Sequence, residues 1–377
     1  MIDSIILGFS LTDSVTSSAR MLTSRNDFDR NEQLVSSYEL RWLTCVAARS
    51  YPQTRSPADF CLTHGDGASS RRPLCDGASM SISFKGIVPA LITPMTADEN
   101  VDEDGLRALV ERLIESGVHG LFVLGTNGEF IALNEEEKLR IARIAVSQAR
   151  SRVPVIAGTG AYATRDVIDL NRKMAEVGVD GVSVITPYFN GATQPELYTH
   201  YRKIAEATPL PVMLYTIPAK AGITLTVDTV RRLSEIPNIR GIKDSGGDFD
   251  RLLQLINLRR DDFSVFTGTD SMILWTLIAG GDGAVAATTN AVPHVVMSIW
   301  NKFQAGDIAG ARAAQESLRA LRDAFALGTM PVVLKTAAQM LGMPAGPARS
   351  PAQPLDDSAR ERLAQALSIY HDAARGH

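Results

Sequence analysis

From Gly86 onward the chain alternates short apolar runs with longer segments of helical period, and it does so eight times. A strand followed by an amphipathic helix, repeated in this way, covers both faces of its strands only in a parallel sheet flanked by helices. The predicted strands are residues 87–93, 120–125, 154–158, 181–186, 211–215, 240–243, 264–267 and 283–287. Predicted helices between them include 103–116, 135–150, 165–177 and 195–207, several opened by Asn, Thr or Asp, whose side chains cap a first turn. Eight such units predict an α/β fold, a (β/α)8 TIM barrel. A doubly wound open sheet shares this periodicity, but it normally carries a glycine-rich phosphate turn after its first strand, and Pro94-Met95-Thr96 is not one. Helical segments 309–327, 331–341 and 357–373 exceed what a barrel needs. The expected organisation is therefore a barrel over 80–306 and a C-terminal helical extension over 307–377.

The first 79 residues have a different character. They contain no lysine, and they hold all three cysteines, Cys45, Cys61 and Cys75, with none of the short paired spacings of zinc or redox sites. Neither a disulfide framework nor a metal site is expected. Asp3 stands before Ile5-Ile6-Leu7, where a secretory signal needs a basic start, and Asp27, Asp29 and Glu32 interrupt any transit peptide. We read residues 1–79 as a disordered N-terminal extension lying upstream of a true start at Met80. Across the whole chain 38 basic residues face 42 acidic ones, with no basic block to track a phosphate backbone, which argues against nucleic acid as a partner. Residues 271–300 are apolar but broken by Asp282 and Pro293, short of the ~20 residues a membrane span needs. They are expected to be core, and the protein to be cytoplasmic.

In a barrel of this kind the chemistry sits where the strands end. Lys243 closes the apolar segment Ile239-Arg240-Gly241-Ile242, where packing should strip it of water. Desolvation disfavours an ammonium, and a neutral amine can attack a ketone to form a Schiff base that acts as an electron sink. The plain alternative is a lysine that snorkels out or pairs with Asp244. Tyr215 ends the preceding strand, about 4.8 Å away across the sheet, so its phenol could shuttle a proton there, although a lone tyrosine is more often a core aromatic. Gly125-Thr126-Asn127-Gly128-Glu129 is a turn whose N–H groups could cradle a small carboxylate, or a tight turn with no ligand at all. No metal-spaced His/Cys/Asp cluster appears among the strand ends. His119 falls at the opposite face and reads as structural, His200 as solvated, and Arg231-Arg232 and Arg259-Arg260 as charged helix surface.

Gly125-Thr126-Asn127-Gly128-Glu129, Tyr215-Thr216-Ile217-Pro218 and Gly241-Ile242-Lys243-Asp244, in that order, resemble the dihydrodipicolinate synthase / N-acetylneuraminate lyase family of pyruvate-dependent class I aldolases. The resemblance runs from Met80 to about residue 355. It implies a lyase assembled as a homotetramer, with no cofactor beyond a covalent imine. Lys243 would form that imine with pyruvate, Tyr215 would relay protons, Thr126 and Asn127 would hold the carboxylate, and Gly268 and Val285 would line the pocket. Ser245 would add a neutral hydrogen-bonding group and Lys220 a positive charge near the mouth. Within the family, the glycine-rich turn, Lys243-Asp244-Ser245-Gly246-Gly247-Asp248 and Gly346-Pro347-Ala348-Arg349 look most like 4-hydroxy-2-oxoglutarate aldolases. Synthases tend to carry threonine at Asn127, tyrosine at Phe189 and arginine at Lys220, although Phe189 departs from the aldolases too. The expectation is thus cleavage of 4-hydroxy-2-oxoglutarate to pyruvate and glyoxylate. The alternatives are 4-hydroxy-tetrahydrodipicolinate (dihydrodipicolinate) synthase of lysine biosynthesis and a non-catalytic 2-oxo acid binding protein, against which Lys243 and Tyr215 argue.

Overall fold

The structure, a computed structural model, describes residues 84–371. The extension expected over 1–79 and the three cysteines lie outside the described residues. Eight strands follow in chain order: β1 Gly86–Pro89, β2 Leu121–Val123, β3 Val155–Gly158, β4 Gly181–Ile185, β5 Val212–Thr216, β6 Ile239–Asp244, β7 Ser264–Thr267 and β8 Gly283–Ala286. They pair in parallel in the order β1-β8-β7-β6-β5-β4-β3-β2. A bridge between Ala90 and Phe122 brings the two ends of that sheet together, with the Leu91 N–H donating to the Phe122 carbonyl at 2.9 Å. The fold is a (β/α)8 barrel, as the alternation predicts.

β4 and β8 end one residue before their apolar runs, β2 two and β1 four. Past Pro89 the β1 backbone is captured by side chains: Asn290 donates to the Ala90 carbonyl and accepts from the Ile92 N–H at 3.1 Å, and Thr93 Oγ1 donates to the Gly128 carbonyl at 2.8 Å. Beyond Val123, Leu124 takes a positive φ of 60°, which no strand accommodates. Several helix starts follow the expected capping chemistry, although Thr164–Val177 follows Ala163 without a side-chain cap. Asn134 and Glu137 form a capping box at Glu135–Ala149, and Thr193 and Glu196 form another at Gln194–Ala207, each cap worth about 1 kcal/mol. The segment expected as one helix over 309–327 is divided into Ile308–Ser317, Arg319–Ala324 and a 3-10 turn Phe325–Leu327, and is followed by Val332–Met340 and Asp357–His371.

The apolar residues divide by face. One large cluster fills the space between strands and helices, and a smaller one, including Val88, Phe122, Ile156, Met213, Phe266 and Val285, fills the barrel interior. A packed interior leaves the C-terminal rim as the place for a pocket.

His119 is structural, as expected: its Nδ1 accepts from the Ile87 N–H at 3.1 Å and its ring meets Trp300 edge-on at 4.8 Å. His200 is not solvated. It lies three residues after Leu197 and four before Ile204, on the buried face of its helix, is 6% exposed, and shares a 2.8 Å hydrogen bond with Thr164 Oγ1. Burial pushes its pKa down to about 4. The unfolded chain, with an ordinary histidine value near 6.5, therefore binds the proton first as pH falls. The stability present above pH 6.5 should be lost progressively between about 6.5 and 4, by on the order of 3 kcal/mol. Thermal melts across that range should show the fall, and His200→Gln should flatten it; an unchanged slope would mean another group titrates. Arg259 and Arg260 also differ from expectation. They lie beyond the helix Phe249–Ile256, where Arg259 pairs at 2.7 Å with buried Asp282 and Arg260 donates to the Ser234 carbonyl at 2.6 Å.

Candidate active site

The parallel register sets Tyr215 of β5 directly beside Lys243 of β6, and Lys243 beside Phe266 of β7. Lys243 is 4% exposed. Its Nζ lies 4.2 Å from the centroid of the Tyr215 ring and 4.8 Å from that of Phe122, with no oxygen acceptor among the described residues. Asp244 does not pair with it. That carboxylate is taken by Arg251 Nε at 2.9 Å and by the Gly246 N–H at 2.9 Å, so neither snorkelling nor a local ion pair accounts for the buried amine. The contrast with the other buried lysine is instructive: Lys335 is 1% exposed but donates to the Thr93 carbonyl and to Glu129, each at 2.8 Å.

The Tyr215 hydroxyl lies 3.1 Å from Thr126 Oγ1, which joins the end of β5 to the turn after β2. In that turn the Gly128 and Glu129 N–H groups bond back to the Gly125 and Thr126 carbonyls at 3.0 and 3.2 Å. Among the described residues nothing accepts from the N–H groups of Thr126 and Asn127, and both residues are half-buried. Gly268, whose N–H donates to the Asp244 carbonyl at 2.7 Å, leaves room for two site side chains: a Cβ there would stand 1.9 Å from Ser245 Oγ and 2.8 Å from Lys243 Cε, and both would have to shift. Thr126, Asn127, Tyr215, Lys243, Ser245 and Gly268 therefore belong to one strand-end constellation, and Val285 lies in the interior cluster with Phe122 and Phe266. Lys220 sits exposed on the short helix Pro218–Ala221, with no ion pair among the described residues. The Phe189 ring is 95% exposed on a backbone with φ of 79°, turned away from this chain's own pocket.

Several participants escape sequence reasoning. The pocket beside Tyr215 and Thr126 is also lined by Phe122, Phe130, Ser183 and Ile185. Ser183 is buried with no hydrogen-bond partner for its hydroxyl, and only the period-two alternation of β4, which turns it inward, could have marked it. Phe122 and Arg251 give no signal beyond their residue types. An unpaired buried amine beside a phenol and a second hydroxyl can add to a ketone and move the protons that addition requires. Among the described residues no group of three or more His, Cys, Asp or Glu is placed to hold a metal ion, and no helix is long and apolar enough to cross a membrane.

Residues 83–370 match a family model described as the dihydrodipicolinate synthetase family. The chain belongs to that family. A 4-hydroxy-tetrahydrodipicolinate synthase of Methanothrix thermoacetophila is 39% identical over 290 residues, covering 77% of this chain and 98% of its own. Its counterpart in Oceanobacillus iheyensis is 37% identical with the same coverage. Among solved structures, the dihydrodipicolinate synthase DapA-2 of Bacillus anthracis superposes with a TM-score of 0.74 at 39% identity, over 76% of this chain and 98% of that one. YagE, a prophage protein of the family from E. coli K12 solved in complex with pyruvate, gives 0.74 at 36%, over 76% and 99%. As a member of the dihydrodipicolinate synthetase family the chain is a pyruvate-dependent lyase of the class I aldolase type.

Proposed function

We propose that Lys243 forms an imine with pyruvate and that the derived enamine adds to aspartate semialdehyde, giving 4-hydroxy-tetrahydrodipicolinate. The observation that carries the first half is the Lys243 amine, unpaired and packed on the Tyr215 ring, whose hydroxyl bonds Thr126. In this reading the amine adds to the ketone and water leaves as the imine forms. A methyl proton is then lost to give the enamine, whose carbon bonds to the aldehyde, and Tyr215 delivers the proton that the new alkoxide takes up. The amino group of the second substrate displaces Lys243 from the imine carbon, closing the ring and freeing the enzyme. The Thr126 and Asn127 N–H groups hold the pyruvate carboxylate, with Ser245 beside them. The working assembly in this proposal is a homotetramer, for which exposed Ile131, Tyr162 and Phe189 offer apolar contact surface. The proposed organisation is an extension over 1–79, a barrel over 80–306 and a helical extension over 307–377.

The second substrate rests on the relatives, which share the synthase name at 36–39% identity across 96–99% of their own lengths. Cleavage of 4-hydroxy-2-oxoglutarate, the expectation from local motifs, therefore stands second. Asn127 in place of threonine and Lys220 in place of arginine still favour it, whereas Phe189 departs from both classes. Comparing kcat/KM for the two reactions decides between them. Condensation of pyruvate with aspartate semialdehyde should be faster by about tenfold or more, whereas faster cleavage of 4-hydroxy-2-oxoglutarate would reverse the order.

A further inference from the structure

The turn that carries Thr126 and Asn127 ends at Glu129, and Glu129 belongs to a buried charge cluster that the proposed reaction does not use. Lys335, on the helix Val332–Met340, has three ammonium donors and meets three oxygens: the Thr93 carbonyl, Glu129 Oε1 and the Pro347 carbonyl. Those oxygens come from the segment leaving β1, the turn leaving β2 and the C-terminal stretch 345–349. The second oxygen of Glu129 accepts from the Arg349 N–H at 2.7 Å. Arg349 in turn grips Glu137 through two bonds of 2.7 and 2.9 Å and the Glu99 carbonyl at 2.6 Å. Glu129 closes the turn with a φ of 58°, a left-handed conformation that a residue with a Cβ adopts only when held there.

A buried ion pair is a poor way to add stability, because desolvating both charges offsets most of their attraction. Its distinctive property is directional: an ammonium with three fixed acceptors pins three backbone segments to one point. Burial pushes Lys335 below the ordinary lysine value, and the Glu129 charge opposes that fall. The segment it pins includes the residues proposed to hold the carboxylate, where small displacements decide whether two N–H groups reach one anion.

We propose that Lys335 is a positioning residue which, through Glu129, sets the Thr126–Asn127 turn and thereby the affinity for pyruvate, so that the C-terminal segment 345–349 contributes to substrate binding from outside the pocket. This rests on the reading of Lys243 as the imine-forming lysine and of the turn as the carboxylate site. The test is the double variant Lys335→Met/Glu129→Gln, which removes both charges together and leaves no uncompensated ion. The pyruvate concentration for half-maximal borohydride trapping at Lys243 should rise by about tenfold or more, while kcat at saturating pyruvate stays within about threefold and KM for the aldehyde within about twofold. A folded double variant with half-saturation within about twofold of wild type would overturn the proposal, as would a loss confined to kcat. Should the double variant not fold, Glu129→Gln alone decides, with an expected rise of about threefold in half-saturation, and no rise counts against the proposal. Absence of trapping at Lys243 in the wild-type protein would instead overturn the underlying reading, and the positioning role with it.

Discussion

Lys243→Ala is expected to lower kcat/KM by about four orders of magnitude or more, since it removes the atom on which every later step depends. The fold should survive. Lys243 makes aromatic contacts but no hydrogen bond to an oxygen among the described residues, so truncation leaves no stranded buried acceptor and costs about 1–3 kcal/mol of packing. Lys243→Arg should be equally inactive, because a guanidinium stays protonated and cannot serve as the nucleophile. A melting curve near that of wild type, together with absent turnover, is the expected pair of results. Residual activity above about 1% of wild type in either variant would place the nucleophile elsewhere.

Tyr215→Phe should lower kcat by about 10²–10⁴-fold, the range for losing a positioned general acid or base. The hydroxyl it removes has one hydrogen-bond partner among the described residues, Thr126 Oγ1 at 3.1 Å, so Thr126→Val should show a smaller loss in the same direction by leaving the phenol without it. The ring that packs against the Lys243 amine is retained in Tyr215→Phe. Trapping of pyruvate by that variant should therefore reach the wild-type end point, only more slowly. A loss of less than about threefold in kcat would show that Tyr215 is the core aromatic its burial also allows.

The barrel is legible in the sequence because its signal repeats. Each apolar run bounded by glycine, proline or polar residues is weak alone, but eight in succession leave one simple closed sheet, and β7 appears over the very residues 264–267 that its run predicts. Strand ends were less legible because long-range side chains set them. Nothing local to residues 90–93 announces that Asn290, some two hundred positions away, will take their hydrogen bonds. Lys243 and Tyr215 could be paired from sequence because parallel register puts consecutive strand ends side by side. Lys220, on the short helix Pro218–Ala221, and Phe189 lie in the connections beyond those ends, whose direction no periodicity fixes, and the structure leaves both exposed. His200 is buried for a simpler reason, since its three- and four-residue spacing from Leu197 and Ile204 outweighs the polarity of an imidazole that finds Thr164 as a partner. Lys335 was invisible as a structural centre, because its three acceptors come from segments far apart in the chain.

Borohydride reduction in the presence of pyruvate shows directly whether the imine forms on Lys243. An imine on Lys243 predicts one reduced pyruvate adduct per chain, located by peptide mass mapping on the peptide containing Lys243 and absent from Lys243→Ala. Reduction that leaves this peptide unmodified, or that places the adduct on Lys220 or Lys335, would contradict it.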